Sequence, residues 1–379
     1  MSNEAFKIPM SMPSIGDLEA EYAADAIASK WISAGGHFHD RFEAEFAQSC
    51  GASTALAVAN GTVAVHLALA ALGVGPGDEV IVPSLTYVAA VNAIAYTGAT
   101  PVFVDVCAST WTPSPESISQ AVSSRTAGIL VVHNYGHPAD MDPILACAKR
   151  HGLWVVEDAA EAPFARYRDR PVGSLADIAT FSFYGNKIIT SGEGGAVVTS
   201  DVQLAQRMEL LRGQGMDPQR RYYFPVIGYN YRLTNVQAAI LCAQLERRTE
   251  LLVQRHRVAR RYRAGLEAVG GVSTQSIAPW ANWSPWIFSV VVDSEASATD
   301  RDQLMSDLAA RGIDSRPFFI PVHTLPAYVE VANRQGHALP VTVDLAARGI
   351  NLPTYPDLLD SDVDRVVQAV AESVQGRSV

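Results

Sequence analysis

Between residues 55 and 157, short apolar runs alternate with stretches of helical length, and this rhythm constrains the fold more than any other feature of the chain. The runs 55–59, 79–82, 101–104, 128–132 and 153–157 have strand length, whereas 62–72, 86–97 and 142–150 have helix length. Such alternation predicts βαβ units, hence a mostly parallel sheet with helices on both faces. One stretch also suits another reading. Residues 80–104 carry no charge over 25 positions, long enough in principle to span a bilayer. Pro83, Asn92, Gly98 and Pro101 interrupt it, so it reads as strand, helix and strand buried between other elements, and no membrane partner is expected.

From 179 to 200 the texture changes to two short strands, FSF and GAVVT, around a Gly-rich turn. Asn235 then opens one long helical stretch, 236–269, followed by a strand at 286–292 and a helix at 301–311. The reading is an α/β chain: a large domain over 1–245 that includes an N-terminal arm, and a smaller C-terminal α/β domain over 246–379. With 29 Lys+Arg against 39 Asp+Glu the net charge is −10, which argues against a reader of nucleic acid. Arg257, Arg260, Arg261 and Arg263 are accordingly expected on the solvated face of a helix. The four cysteines are far apart and form no CxxC pair, so neither a zinc ribbon nor a disulfide framework is expected, and a reducing cytoplasm fits. The first ten residues show neither the basic nor the apolar segment of a secretory leader.

In parallel α/β sheets ligands bind beyond the carboxyl ends of the strands, and four such ends are chemically loaded. After LAVAN, residues 60–62 turn a strand into a helix, whose first N–H groups and the Thr62 hydroxyl favour a phosphate; Thr62 reads equally well as an ordinary first-turn residue. Tyr87, beyond IVPSL, can cover a planar heterocycle or simply pack in a core. Asp158, in EDAAE, is an acid at a strand end that needs a positive partner. A metal shared with His133 and His137 of HNYGH is one candidate, but Gly136 and Pro138 deny that pair the face of a zinc helix, so no metal is expected. Lys187 stands alone in the uncharged, aromatic and Gly-rich run FSFYGNKIITSG, where its amine can lose solvent and bond an aldehyde; an isolated lysine on a surface loop is the plainer alternative. A phosphate cradle, a covering ring, a buried acid and a nucleophilic amine on successive strand ends are together what pyridoxal phosphate requires. No GxGxxG follows a strand in the N-terminal half, which leaves a nicotinamide enzyme without its fingerprint.

With these residues in view, the chain resembles the sugar aminotransferases of the DegT/DnrJ/EryC1/StrS family, fold-type I pyridoxal phosphate enzymes. NGTVAVHLAL, GDEVIVPSLTYVAAVNAI, EDAAEA, FSFYGNKIITSGEGG and GYNYRLTNVQAAI are similar to family motifs and stand in family order. The resemblance implies that Lys187 bonds the cofactor aldehyde and shuttles the proton, that Asp158 pairs with the ring nitrogen, and that Glu161 lies beside the ring. It further implies that Gly61, Thr62 and Ser182 hold the phosphate, that Tyr87 stacks on the ring, and that Asn230 reaches the phosphate of a neighbouring subunit, hence a homodimer with shared active sites. Lys187 sets the chain apart from similar dehydratases that carry His there. Pyridoxamine phosphate would form as L-glutamate gives up its amino group.

Through WISAGG, GHPADMDPI and LRGQGMDPQRRYYFPVIGYNYRLTN, similar to segments of family members acting on such sugars, the resemblance implies a nucleotide-linked 4-keto-6-deoxy sugar as acceptor, GDP-4-keto-6-deoxymannose first. Amination at C3, a dTDP- or UDP-linked sugar, a cyclitol ketone and a non-catalytic regulator are the alternatives. The resemblance places Ser33, Arg316 and His323 where family members contact the sugar nucleotide; each reads equally well as a structural residue. After DAAEA the family commonly reads xGAxYxG, whereas Phe164 and Asp169 stand here at the glycine positions.

Overall fold

In the computed structural model, which describes residues 6–293 and 295–376, the alternation becomes a seven-stranded sheet. The leader expected to be absent falls partly on residues 1–5, outside those described. The strands in chain order are β1 (Thr54–Val58), β2 (Glu79–Pro83), β3 (Thr100–Val104), β4 (Thr126–Val132), β5 (Trp154–Asp158), β6 (Arg166–Tyr167) and β7 (Arg170–Pro171). There follow β8 (Ile178–Ser182), β9 (Gly195–Thr199), β10 (Val272–Thr274), β11 (Ala281–Asn282), β12 (Phe288–Val292), β13 (Arg316–Pro317) and β14 (Gly349–Leu352). The large sheet has the order β1-β9-β8-β5-β4-β2-β3, and β9 alone runs against the rest.

Successive residues of its strands feed two different cores, as the period of two requires. Ala57, Ile81, Val131 and Val155 pack on one face against Phe42 and Phe46 of the helix His37–Cys50; Val58, Val82, Val132 and Val156 pack on the other with Leu67 and Ile94. Both faces are covered, which is why the strands read as unbroken apolar runs. Residues 80–104 are accordingly β2, the helix Ala89–Tyr96 and β3. No helix among the described residues is long and apolar enough to cross a membrane.

A second sheet, β10-β12-β14-β13, packs against the helices Arg248–Leu266, Arg301–Ala310 and Asp360–Val374 around Tyr262, Phe288, Leu304 and Val366. Segments cross between the two layers. Ile8 bridges Ile313 and joins the second core, Val322 and Tyr328 join the first, and β11 pairs with β6.

One sequence expectation needs correction. The stretch 236–269 is two helices, Asn235–Glu246 and Arg248–Leu266. The break falls at Arg247, whose Nη1 donates to the buried Glu19 at 2.8 Å; this tertiary contact leaves no local trace in LERRTEL. The arginines of the second helix do lie on a solvent-accessible face, and there they also fasten it to its neighbours. Arg257 and Arg261 pair with Asp360 and Asp364 of the last helix, and Arg263 donates to the Gln275 carbonyl at 2.9 Å, leaving Arg260 exposed.

Candidate active site

At the carboxyl ends of β1, β5 and β8 the structure opens a cavity of about 440 Å³, within the size range of small-molecule sites. Asn60 begins its first wall. Its side chain accepts a hydrogen bond from Val63 N at 3.0 Å and caps the helix Gly61–Ala71, whose geometry leaves the N–H groups of Gly61 and Thr62 without intrahelical partners. A Cβ on Gly61 would lie 2.7 Å from the Cβ of Ser182, so only glycine lets the helix start and the end of β8 meet. Together they form an anion cradle.

Asp158 ends β5 and is 8% exposed; its Oδ1 accepts from Ala160 N at 3.1 Å, and burial pushes its carboxyl above the usual range. Three residues on, Glu161 accepts from Tyr135 N at 2.7 Å, and burial pushes it to about 7. Lys187 follows β8 in a turn closed by its own N–H to the Tyr184 carbonyl at 2.9 Å. Burial lowers the basicity of its amine, while Glu161 and Asp158 act in the opposite direction. The Nζ lies 3.9 Å from the centre of the Trp286 ring, a cation–π contact. Across the mouth Tyr87, 61% exposed, stands 5.8 Å from Phe319, so its ring is free to cover a ligand.

Seven of the residues singled out in the sequence thus line one cavity: Gly61, Thr62, Tyr87, Asp158, Glu161, Ser182 and Lys187. Four others do not. Asn230 is exposed and bridges Gly213, and Ser33 is exposed and uses its carbonyl to accept from Asn235 N. Arg316 turns to Asp314, and His323 is tied through Nδ1 to Ser84 Oγ at 2.7 Å. The segment 315–323 does supply a wall, but through Phe319, which a search for polar contacts passes over. Trp286 escapes the sequence reading for a different reason: it lies in the bend just before β12 of the second sheet, nearly 100 residues beyond Lys187, with no motif around it.

His133 and His137 are structural. His133 shares its Nε2 proton with Glu157 at 3.1 Å and accepts from Ala139 N; His137 Nε2 accepts from Ala278 N, and burial takes its imidazole down to about 4. Among the described residues no group of three or more His, Cys, Asp or Glu side chains gathers as a metal site. Phe164 and Asp169 have φ of +66° and +63°, the left-handed region that favours the glycine otherwise common there.

The sequence model of the DegT/DnrJ/EryC1/StrS aminotransferase family matches residues 13–371. The chain belongs to that family. Among its relatives in the family, GDP-perosamine synthase of Caulobacter vibrioides is 48% identical over 365 residues, covering 96% of this chain and 97% of its own. Of solved family folds, S. venezuelae DesV in complex with a ketimine intermediate superposes with a TM-score of 0.88 at 39% identity, covering 97% of this chain and 100% of that one. The PLP form of Spr1654 from Streptococcus pneumoniae superposes with a TM-score of 0.91 at 26% identity, covering 98% and 100%. The fold-type I expectation therefore holds, and four of the five family motifs, those holding Thr62, Tyr87, Asp158 and Lys187, meet at the cavity, whereas GYNYRLTNVQAAI does not line it.

Proposed function

We propose that this chain transfers an amino group from L-glutamate to C4 of GDP-4-keto-6-deoxymannose, giving GDP-perosamine, with pyridoxal 5′-phosphate held in the cavity. The observation that carries the reading is the convergence of one partly desolvated lysine with two buried carboxyls opposite a helix N-terminus. That donor set fits the cofactor. A dianionic phosphate suits the cradle of Gly61, Thr62 and Ser182, and a protonated ring nitrogen is the positive partner that buried Asp158 lacks. Bound, the cofactor supplies an electron sink through which an amino group can leave one substrate and join another.

The protein groups have separable tasks. Lys187 would provide the amine that tethers the aldehyde and would hold and return the proton at the substrate carbon. Asp158 keeps the ring nitrogen charged, while Tyr87 covers one face of the ring. Glu161, with its carboxyl near 7, can hold a proton beside the ring at neutral pH. The 48% identity to a GDP-perosamine synthase over nearly the whole chain supports the GDP-linked acceptor.

A homodimer is part of the reading. Tyr222, Phe224 and Ile227 are 73%, 52% and 91% exposed, an apolar stretch that leads to Asn230 and suits burial against a second copy. Asn230, and Ser33 beside exposed Trp31 and Ile32, would then serve the cavity of the partner. The break at Arg247 supports a domain division near 245/246, and four free cysteines suit a reducing cytoplasm.

The test uses the chain loaded with pyridoxamine phosphate and offered GDP-, dTDP- and UDP-linked 4-ketosugars, their 3-keto counterparts and a cyclitol ketone, with mass spectrometry of the amine formed. GDP-4-keto-6-deoxymannose should be aminated at C4 with the highest kcat/KM. Turnover of the cyclitol ketone alone, or a 3-amino product, would overturn the assignment.

A further inference from the structure

Arg255 is 1% exposed, and among the described residues its guanidinium meets no carboxylate. Burying a charge without an opposite partner is costly, so what it does bond to is informative. From the helix Arg248–Leu266 its Nη2 donates to the Lys187 carbonyl at 3.1 Å and its Nη1 to the Trp286 carbonyl at 2.7 Å. Trp286 completes the bracket: its Nε1 donates to the Asn186 carbonyl at 2.9 Å, and its ring lies under the Lys187 amine. Two hydrogen bonds thus reach the turn that carries the amine, and a third ties Arg255 to Trp286 and closes the bracket. We propose that Arg255 is a positioning residue for Lys187: by holding the carbonyls of Lys187 and Trp286 it fixes the amine against the indole face at the cavity wall.

The guanidinium has a second, separable effect. The charged groups that act on the amine are Asp158 at the end of β5, Glu161 just beyond it, and Arg255 beneath, while Tyr184 and Glu193 line the same cavity. The acids favour the ammonium form; burial and the Arg255 charge favour the neutral amine, the form that attacks an aldehyde.

The inference rests on Lys187 being the residue that bonds the cofactor, and the experiment keeps the two apart. The chain has four lysines, and Lys7, Lys30 and Lys149 are exposed, so they serve as internal standards for competitive acetylation of the cofactor-free full-length protein. Peptide mass spectrometry across a pH series then gives the Lys187 pKa, and stopped-flow absorbance gives the rate of pyridoxal phosphate capture. Arg255→Lys keeps a charge but cannot span two carbonyls. It should leave the Lys187 pKa unchanged and slow capture by about tenfold. Arg255→Met removes the charge as well and should raise the Lys187 pKa by about one unit. Trp286→Phe, which keeps a ring but loses the bond to Asn186, should slow capture by less than Arg255→Lys. Capture by Arg255→Lys at the wild-type rate would overturn the proposal, and this variant decides should Arg255→Met fail to fold. If the wild-type chain captured no pyridoxal phosphate at Lys187, the functional reading would fall, while an unmoved Lys187 pKa in Arg255→Met would still count against Arg255.

Discussion

The two walls of the cavity are built on different principles. The first, made of residues 60–62, 158–161 and 182–187, consists of strand ends whose polar groups are fixed largely by local backbone: Asn60 caps its own helix, Ala160 N–H serves Asp158, and Tyr184 closes the turn of Lys187, with Glu161, held by Tyr135 N–H, the exception. The second, made of Trp286 and Phe319 with Arg255 behind it, is apolar at its surface, and its Trp286–Arg255 part is fixed by contacts between residues 31 to 100 positions apart. Charge sits on one wall and shape on the other. The first wall should therefore govern whether chemistry occurs, and the second how well the reacting amine is presented.

That contrast can be broken or sharpened by substitution, and the largest effect belongs to the first wall. Lys187→Ala should lower kcat by at least about 10⁴-fold in the amination assay while leaving the thermal midpoint within a few degrees. Asp158→Asn should follow, with a loss of about 10²- to 10³-fold in kcat, since the neutral amide cannot hold the ring nitrogen charged. Trp286→Phe should cost about tenfold or less; a loss as large as that of Asp158→Asn would erase the distinction between the walls. Gly61→Ala, whose Cβ must push Ser182 aside, should weaken cofactor affinity by about tenfold in equilibrium dialysis with little change in kcat at saturation.

The pH dependence of stability is a subtler test of the same acids. Glu161 has its folded-state pKa raised from 4.5 to about 7 by burial. Its contribution to stability is therefore fully present below about 4.5 and is lost as pH rises through about 7. In the cofactor-free protein, urea midpoints should fall across that window, and Glu161→Gln should flatten the fall. The smallest effect is expected far from both walls: Asp169→Gly, at φ +63° in an exposed turn, should stabilise by about 0.5 kcal/mol in calorimetry.

Legibility in the sequence follows the same division. The large sheet was readable because burial on both faces writes a strand as a continuous apolar run, and the first wall because each of its residues lies within a few positions of such a run. Asp158 and Lys187 needed no knowledge of distant partners to be singled out. Trp286 and Arg255 did: a tryptophan near a strand and an arginine on a basic helix look the same whether or not they reach the lysine. The arginines of that helix show the same limit: their pairing with Asp360 and Asp364, 99 to 103 residues away, leaves no mark in their own segment. In the segment 315–323, polarity pointed to Arg316 and His323, yet both satisfy neighbours within the protein and leave the wall to Phe319.

Borohydride reduction of the chain loaded with pyridoxal phosphate, followed by peptide mapping, tests the central claim most directly, because only four lysines can carry the adduct. A stable phosphopyridoxyl mass on the peptide containing Lys187, absent from Lys187→Ala and from Lys7, Lys30 and Lys149, is the predicted result. An adduct spread over the three exposed lysines, or none at Lys187, would contradict it.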